Sequence, residues 1–512
     1  MNNVLETLQK KSKQKHFFSL GSIIVLGLII RLYYFPNDIP LIIDSLKYFL
    51  YASDILALGH LPESWIVINN GWPIFLSFWF KVIPLEGSIQ FMELQRMLAI
   101  TLSSLTAIPV YYLCKKFVES KYAIIGCALF IFDPRLILNS VSGLNEPLYI
   151  FLGALSLVLL LKNERKAVLL SFVLASLCTI VRGEGIFFFF AITIIFLVQN
   201  KFTKNSIKTI IPAIGVFFII LIPILINRIE VSGSDGIFIR AAGAAVQTSI
   251  ETQTNGFNKI FTGFELFVKF LIWVLIPNFI LFLPFGVFQY LRKFMKKEKF
   301  IIIFLVTMSI PALYAYSVPA QDTRYLYFLF PVFSILSAIA IREYFSRFKK
   351  INYLLIVMIF GLILSSVIFY EYKKDDWRMN NEKEIEIISI SRDINQFADG
   401  VNHHPTLGRY IKALQVPSYW PIPYDEISVK THLISVKGKT LEGFIEKNKD
   451  HLTHIIIDDK SNIPKFLNEI NNNGKNYEYL ELVYDSKNKG YNQEFKVFKI
   501  NYDIKNLNKD KN

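Results

Sequence analysis

The sequence predicts a polytopic α-helical membrane protein with about eleven transmembrane helices, followed by a small C-terminal α/β domain that is soluble. Only 19% of the 512 residues are charged and 53% are hydrophobic, whereas soluble proteins carry about 25% charged residues. The charge is also uneven, with 53 charged residues in 1–372 and 43 in the remaining 140. We therefore expect a transmembrane domain at 1–372, an α/β domain at 373–502 and a disordered tail at 503–512.

Eleven apolar runs are long enough, or nearly so, to cross a bilayer, which takes about 20 helical residues. Four lysines precede the first run, which has no small-residue cleavage site and is therefore interpreted as a retained helix rather than a signal peptide. The runs lie at 17–35, 92–113, 122–138, 147–161, 167–181, 186–199, 209–226, 265–290, 300–316, 325–341 and 352–371.

The basic residues between these runs predict an orientation. With a cytoplasmic N-terminus, the inner loops hold 22 Lys and Arg residues and the outer loops hold 8. Cytoplasmic loops of membrane proteins are enriched in these residues. We therefore interpret the net charge of +14 as topology and not as a nucleic-acid surface. The prediction is a plasma-membrane protein with a cytoplasmic N-terminus and an extracytoplasmic C-terminal domain.

Two of the predicted outer loops are unusually long. The first, at 36–91, is rich in aromatic residues, and its segments 44–59 and 72–83 are typical of amphipathic helices at a membrane surface. The loop at 227–264 is Gly-rich, which suits either a mobile lid, an acceptor-binding loop or a flexible connector.

The polar tail mixes helix and strand patterns. Apolar spacing predicts helices at 382–397 and 463–470. Short apolar runs predict strands at 454–458, 479–484 and 494–502, with a turn at 487–490.

Asp44 is the first candidate for chemistry. It lies early in the first outer loop, and helical spacing places Asp44, Tyr48 and Tyr51 on one face. Asp54 is about 280° around the helix and does not share that face. A carboxylate backed by aromatic rings could act as a general base. It could equally be an acid that favours the positive end of a helix dipole.

Four further charged residues lie at the outer ends of apolar runs, where ionisable groups are costly and often functional. Glu146 starts one run and could bind a substrate hydroxyl or a metal, or only stabilise the helix start. Arg182 and Glu184 share a tight turn and could pair with each other. Arg324 opposes the positive-inside trend and could bind a phosphate, unless it only pairs with Asp322.

Several motifs are missing from the sequence. It has no Walker A, HExxH or GxSxG motif, which argues against a nucleotide-driven pump, a zinc protease of that class and a serine hydrolase. The three cysteines lie in or beside apolar runs, and their number and spacing suggest neither a disulfide framework nor a zinc finger.

Five short segments in order resemble the GT-C superfamily of membrane glycosyltransferases. The likeness is to the branch of protein O-mannosyltransferases and aminoarabinose transferases, which use polyprenyl-phosphate sugars, and it covers about 1–345. The segments are Asp44 with Tyr48, Gly71-Trp-Pro73, Asn145-Glu-Pro-Leu-Tyr149, Val181-Arg-Gly-Glu-Gly-Ile186 and Arg324-Tyr-Leu-Tyr-Phe-Leu-Phe-Pro331.

This resemblance implies a GT-C-like fold and a mannosyltransferase-like activity on the outer face. The donor would be a polyprenyl (dolichyl) phosphate sugar, the acceptor a hydroxyl on a lipid, glycan or protein, as in protein glycosylation, and the sugar carbon would be inverted. Asp44 would be the catalytic base. Arg182 and Arg324 would stabilise the leaving phosphate, and Tyr48, Glu146, Glu184 and Tyr325 would contact substrate or metal.

The sequence shows no required cofactor, although a divalent metal ion held by Asp44 and Glu146 is one option. Asp44 is followed by Ser45, where many protein mannosyltransferases have an Asp-Glu pair. The WWDYG motif of oligosaccharyltransferases is absent, so transfer of a whole oligosaccharide to asparagine is not expected. The alternative is a transporter or flippase of lipid-linked sugars, although transporter sites lie near the membrane midplane.

Overall fold

A computed structural model describes most of the chain. The described residues are 2–63, 65–67, 69–201, 203–233, 235–236, 256–296, 298–317, 322–346, 351–419, 432–436, 440–458, 464–473 and 477–504. The central part of the predicted loop at 227–264 lies outside these residues, as do residues 505–512 of the predicted disordered tail.

Helices form most of the described chain. A 3-10 helix lies at Thr323–Leu329. In chain order, the helices before the sheet are α1 (Asn2–Tyr33), α2 (Ile43–Leu58), α3 (Gly71–Val82), α4 (Ser88–Leu105), α5 (Ala107–Lys115), α6 (Ser120–Ile131), α7 (Pro134–Val141), α8 (Glu146–Leu160), α9 (Arg165–Val181), α10 (Gly185–Asn200), α11 (Lys204–Ser232), α12 (Gly256–Leu275), α13 (Leu283–Lys293), α14 (Phe300–Ser317), α15 (Phe330–Phe345) and α16 (Ile351–Asn395).

The eleven predicted apolar runs are largely helical, but several are divided, and the run at 265–290 contains a turn at 276–282 between α12 and α13. The run at 122–138 forms α6 and α7, which are bent by 52° at Asp133-Pro134. Among the described helices, five are long and apolar enough to cross a membrane, or six if the bent pair counts as one span. Helix α8 has 15 residues and is about 23 Å long, which is short of a bilayer of about 30 Å. The number of crossings stays a prediction.

The described chain separates into two compact units. The first contains Met1–Pro36, Leu61–Leu76 and Leu94–Lys373. In this unit α9 packs between α8 and α11. The fully buried Arg31 joins α1 to three other helices, since it donates hydrogen bonds to Ser103, Ile131 and Ser140.

The second unit contains Asn37–His60, Ser77–Glu93 and Lys374–Asn512. The sequence places a single boundary at 372, whereas two pieces of the first outer loop also belong to this unit. The predicted loop helices at 44–59 and 72–83 correspond to α2 and α3. Helix α2 therefore lies in the same unit as the C-terminal sheet.

The C-terminal sheet has five strands in the order β2-β1-β3-β5-β4. Strands β1, β2 and β3 are parallel, and β5 is antiparallel to both β3 and β4. Its elements are β1 (Gly400–Asn402), α17 (Leu407–Tyr419), β2 (His432–Ile434), α18 (Leu441–Lys447), β3 (His454–Asp458), α19 (Lys465–Asn473), β4 (Leu480–Asp485) and β5 (Phe495–Ile500).

The core of this α/β domain forms as the apolar patterns predict. Ile455, Ile456 and Ile457 of β3 are fully buried, which explains the unbroken apolar run there, because a strand covered on both faces needs no polar alternation. Ile455 and Ile457 belong to one core cluster together with Leu467 and Ile470 of α19 and Phe498 of β5. The mostly helical body with a small C-terminal sheet matches the predicted class.

Candidate functional site

Three segments of the first unit bring charged side chains together. Helix α8 begins at Glu146, α9 ends just before Arg182, and the 3-10 helix begins beside Arg324. Each charge lies at the end of an apolar helix, because a charge within the apolar stretch would be costly. We call the resulting group the acid–arginine cluster; its members are Glu146, Arg182, Glu184, Asp322 and Arg324.

Gly71 permits close packing next to this cluster. A Cβ atom at this position would lie 2.7 Å from the backbone nitrogen of Val181, so a larger residue would push α3 away from the end of α9. The following Trp72 is fully buried, and its indole nitrogen donates a 3.3 Å hydrogen bond to the carbonyl of Gly143. The Gly-Trp-Pro motif therefore packs the start of α3 against the turn that carries Arg182.

Glu146 lies at the centre of the cluster, with its side chain 1% exposed. It forms an ion pair with Nη1 of Arg182. Its Oε2 accepts a 3.0 Å hydrogen bond from the Asn139 side chain, and Nη1 of Arg324 lies 3.6 Å from its Oε1. A buried carboxylate loses its hydration and needs such partners in compensation. Glu146 therefore connects α7, α8, the α9–α10 turn and the 3-10 helix.

Arg182 pairs with two carboxylates. Its Nε and Nη2 lie 3.3 and 2.9 Å from the two carboxylate oxygens of Glu184, which is the bidentate geometry that arginine favours. The guanidinium also lies 6.0 Å from the ring centroid of Tyr149 and 5.7 Å from that of Tyr325. The local pair that the sequence left open is present, and Glu146 adds a second partner. With its side chain 9% exposed, Arg182 is largely enclosed.

Arg324 is more accessible than Arg182. Its Nε lies 2.6 Å from Oδ2 of Asp322, so the pairing with Asp322 that the sequence left open is present. Its backbone amide donates a 2.9 Å hydrogen bond to Oδ1 of the same carboxylate, which caps the 3-10 helix. The Arg324 side chain is 26% exposed. Of the two predicted phosphate binders, the geometry therefore favours Arg324 for contact with an external anion.

The charges of the cluster nearly balance. Three carboxylates and two guanidinium groups give a formal charge of −1, so a phosphate would have to compete with Asp322 for Arg324. Glu146 does not fit the suggested role of metal ligand, because its oxygens already face Arg182, Arg324 and Asn139. Over the described ranges, no group of three or more His, Cys, Asp and Glu side chains could hold a metal ion.

Asp44 belongs to the second unit and lies in the first turn of α2. Its Oδ1 is 3.7 Å from the ammonium group of Lys47, and its side chain is 31% exposed. Tyr48, one turn later, is buried. Asp44 thus has the accessible carboxylate that a general base needs, and it also occupies the helix start that favours an acid.

Three polar residues near the cluster were not singled out from the sequence. Asn139 bonds to Glu146 across 3.0 Å. The ring of Tyr149 stacks on Phe328 with centroids 4.2 Å apart. Arg228 is buried, and its Nη2 donates a 2.8 Å hydrogen bond to Asn70. Arg228 offered a signal, since it is an arginine in a predicted outer loop, where the positive-inside rule does not require one.

The solved structures that are similar to this chain include those of two proteins. One is the oligosaccharyltransferase of Archaeoglobus fulgidus in complex with zinc and sulfate. The match covers 85% of this chain and 68% of the archaeal chain, with 11% identity and a TM-score of 0.56. The structure of the archaeal oligosaccharyltransferase AglB from Archaeoglobus fulgidus, with an inhibitory peptide and a dolichol-phosphate, is also similar. The match covers 87% of this chain and 70% of that chain, with 12% identity and a TM-score of 0.52.

The second similar protein is ArnT from Cupriavidus metallidurans bound to undecaprenyl phosphate. The match covers 94% of this chain and 97% of the ArnT chain, with 10% identity and a TM-score of 0.56. No protein-family model and no curated protein matches the sequence. Likeness at this level of identity shows the fold alone: the chain shares the fold of AglB and ArnT, and this confirms the fold that the resemblance in the sequence implies.

Proposed function

We propose that the protein is an integral membrane glycosyltransferase that moves a sugar from a polyprenyl (dolichyl) phosphate donor to an acceptor hydroxyl. The observation that carries this proposal is the fold shared with AglB bound to a dolichol-phosphate and ArnT bound to undecaprenyl phosphate. A fold hosts many functions, so this activity also requires residues suited to the chemistry. The acid–arginine cluster and Asp44 are such residues.

The donor phosphate needs positive charge when its bond to the sugar breaks. Arg324 suits this role because it is the more exposed arginine of the cluster, and a guanidinium can form two hydrogen bonds to one phosphate. Arg182 is held in place between Glu146 and Glu184, and its fixed positive charge also helps to stabilise the phosphate. The partly exposed Tyr325, 5.7 Å from Arg182, is a candidate for contact with the donor.

The acceptor must lose a proton as its oxygen attacks the anomeric carbon. Asp44 takes that proton, while the bond between the anomeric carbon and the phosphate oxygen breaks and its electron pair stays on the phosphate. One displacement of this kind inverts the sugar carbon. The support for Asp44 is its place in the first outer loop and its accessible carboxylate. Tyr48, one turn later on α2, is buried and stays a candidate for contact with substrate.

The reaction would take place on the extracytoplasmic face. Support comes from the loop charges, which favour a cytoplasmic N-terminus in the plasma membrane. With the eleven crossings predicted from the apolar runs, the C-terminal domain would then be extracytoplasmic. A reporter fused to the C-terminus tests this topology. Activity of that reporter in the cytoplasm would contradict it.

The test of the function uses the full chain in lipid nanodiscs. Undecaprenyl and dolichyl phosphate sugars, beginning with mannose, are supplied with mixed lipid, glycan and peptide acceptors. The expected result is release of free polyprenyl phosphate and a mass increase of one sugar in one acceptor class. Movement of the intact donor across proteoliposomes without release of polyprenyl phosphate would contradict transfer and support a flippase.

A further inference from the structure

Helix α2, which carries Asp44, is packed against the C-terminal part of the chain. The segment Asn37–His60 lies in the same compact unit as Lys374–Asn512, and α17 contacts α2 directly. The C-terminal domain therefore supplies part of the surroundings of the proposed catalytic base, although more than 300 residues separate the two segments.

A salt bridge fixes the second half of α2. The ammonium group of Lys412 on α17 lies 2.7 Å from Oδ2 of Asp54. Asp54 is buried and Lys412 is half-buried, so the pair is better shielded from water than a surface ion pair. Charge-assisted hydrogen bonds of this length are among the stronger polar contacts in proteins. This contact also gives Asp54 a role, although it does not share the face of Asp44.

A second contact lies at the start of α2. The hydroxyl group of Tyr410 lies 3.1 Å from the carbonyl oxygen of Leu41 and 2.5 Å from Oε2 of Glu384, and its single proton is shared between these two acceptors. Tyr410 and Leu41 are both buried. The backbone amide of Leu41 also points at Sδ of Met92, 3.4 Å away. Leu41 is thus held on both sides, three residues before Asp44.

The backbone between these residues is strained. Ile43 has a φ of +46°, a conformation that a β-branched residue rarely adopts. Such strain costs roughly 1–3 kcal/mol and persists only where neighbouring contacts hold it. The Ile43 side chain is exposed and provides little packing of its own. The contacts to Leu41 and to the rest of α2 must therefore hold the turn that sets the direction of Asp44.

We propose that Tyr410 and Lys412 are positioning residues that hold α2, and with it the Asp44 carboxylate, in the orientation needed for proton transfer. This inference rests on the proposed function, in which Asp44 is the base. A base must lie within hydrogen-bonding reach of the proton it removes, and small misplacements are costly for rate. Loosening α17 should therefore reduce turnover with little effect on donor binding.

The test compares Lys412→Glu, Asp54→Lys and the double variant that exchanges the two charges, in the full chain in nanodiscs. Two quantities are measured: hydrogen exchange of peptides covering 39–58, and kcat and donor KM for sugar transfer. The expected result for Lys412→Glu is faster exchange in α2 and a kcat about tenfold lower, with donor KM changed less than twofold. The double variant should restore both the slow exchange in α2 and the wild-type kcat. Tyr410→Phe should raise exchange at the start of α2.

Lys489→Glu is the matched control. Its partner Asp393 lies 3.2 Å away in the same unit, but neither residue is on α2, so exchange in 39–58 and kcat should match the wild type. Unchanged exchange in Lys412→Glu would overturn the proposal, as would faster exchange with an unchanged kcat. A wild-type protein that transfers no sugar would instead contradict the proposed function, and the exchange data would still report whether α17 holds α2.

Discussion

Arg182 and Glu146 form an ion pair in which both side chains are almost fully buried. It joins the turn after α9 to the first residue of α8, so the charge of each residue compensates that of the other. Removing one partner of a buried pair leaves the other charge desolvated and unpaired. The pair therefore makes the geometry of the acid–arginine cluster depend on residues 36 positions apart in the sequence.

We expect Glu146→Gln to destabilise the protein by about 3–5 kcal/mol, the usual effect of breaking a buried ion pair. Glu184→Gln should lower the free energy of unfolding by about 1 kcal/mol or less, because Glu184 is more exposed and Arg182 retains its ion pair with Glu146. The measurement is thermal unfolding of both variants in nanodiscs. Glu146→Gln combined with Arg182→Gln should recover part of the loss. If the two single variants lowered the unfolding temperature by equal, small amounts, Glu146 would not be the central residue of the acid–arginine cluster.

Arg324→Ala should weaken donor binding. A hydrogen bond to a charged group contributes about 1.5–3 kcal/mol, which corresponds to about a 10- to 150-fold increase in the Kd for undecaprenyl phosphate. Asp322→Asn is the matched variant, because it retains an oxygen that can cap the 3-10 helix but removes the competing charge. It should bind the donor more tightly than the wild type. An unchanged Kd in Arg324→Ala would remove Arg324 from the phosphate site.

Asp44→Asn should abolish transfer without affecting the fold. General-base catalysis typically contributes about 10²- to 10⁴-fold to a rate, and the amide cannot take the acceptor proton. Thermal unfolding and the Kd for undecaprenyl phosphate should stay at the wild-type values. Lys47→Gln is the control, since the 3.7 Å pair with Asp44 is exposed and weak; its rate should stay within about twofold. Full activity in Asp44→Asn would exclude this residue as the base.

Local patterns in the sequence predict the helices and the buried strands. The apolar runs are largely helical, and the run at 454–458 is a central strand, because the pattern of hydrophobic residues follows burial. Strands β1 and β2 have only three residues each, which is too short for a pattern to show. The number of membrane crossings is harder to predict, because one apolar run can form two helices that point in different directions, as α6 and α7 do.

The candidate site is predicted only where its partners are close in sequence. Arg182 with Glu184 and Arg324 with Asp322 are two residues apart, and both pairs could be named in advance. The contact of Arg324 with Glu146 spans 178 positions, and that of Lys412 with Asp54 spans 358. Such contacts depend on how the helices pack, which no local pattern encodes. The grouping of α2 with the C-terminal domain was missed for the same reason.

Chelation of divalent metals with EDTA should leave the transfer rate unchanged. Glu146 is already paired with two arginines, and a divalent cation beside them would be repelled by their charge. The measurement is the rate after dialysis against EDTA and after addition of Mg²⁺, Mn²⁺ or Zn²⁺. Loss of activity that one of these ions restores would show that a metal site exists and that Glu146 rearranges or other residues bind the ion.

Acidification should destabilise the C-terminal sheet through His454. Burial lowers the pKa of His454 below its usual value of about 6.5, and Lys499, its partner on β5, lowers it further. Between the lowered pKa of His454 in the folded chain and its usual pKa in the unfolded chain, the unfolded chain binds the proton more readily. The stabilisation is therefore complete above about pH 6.5 and is lost as the pH falls towards the lowered pKa.

The measurement is hydrogen exchange of peptides covering β3 and β5 between pH 7.5 and 5, corrected for the intrinsic exchange rate. Protection should decrease on acidification in the wild type and decrease less in His454→Gln. The exposed His432 on β2 gives the control, since His432→Gln should keep the wild-type dependence. If His454→Gln lost protection as steeply as the wild type, another group would cause the acid sensitivity, because a glutamine has no proton to gain in this range.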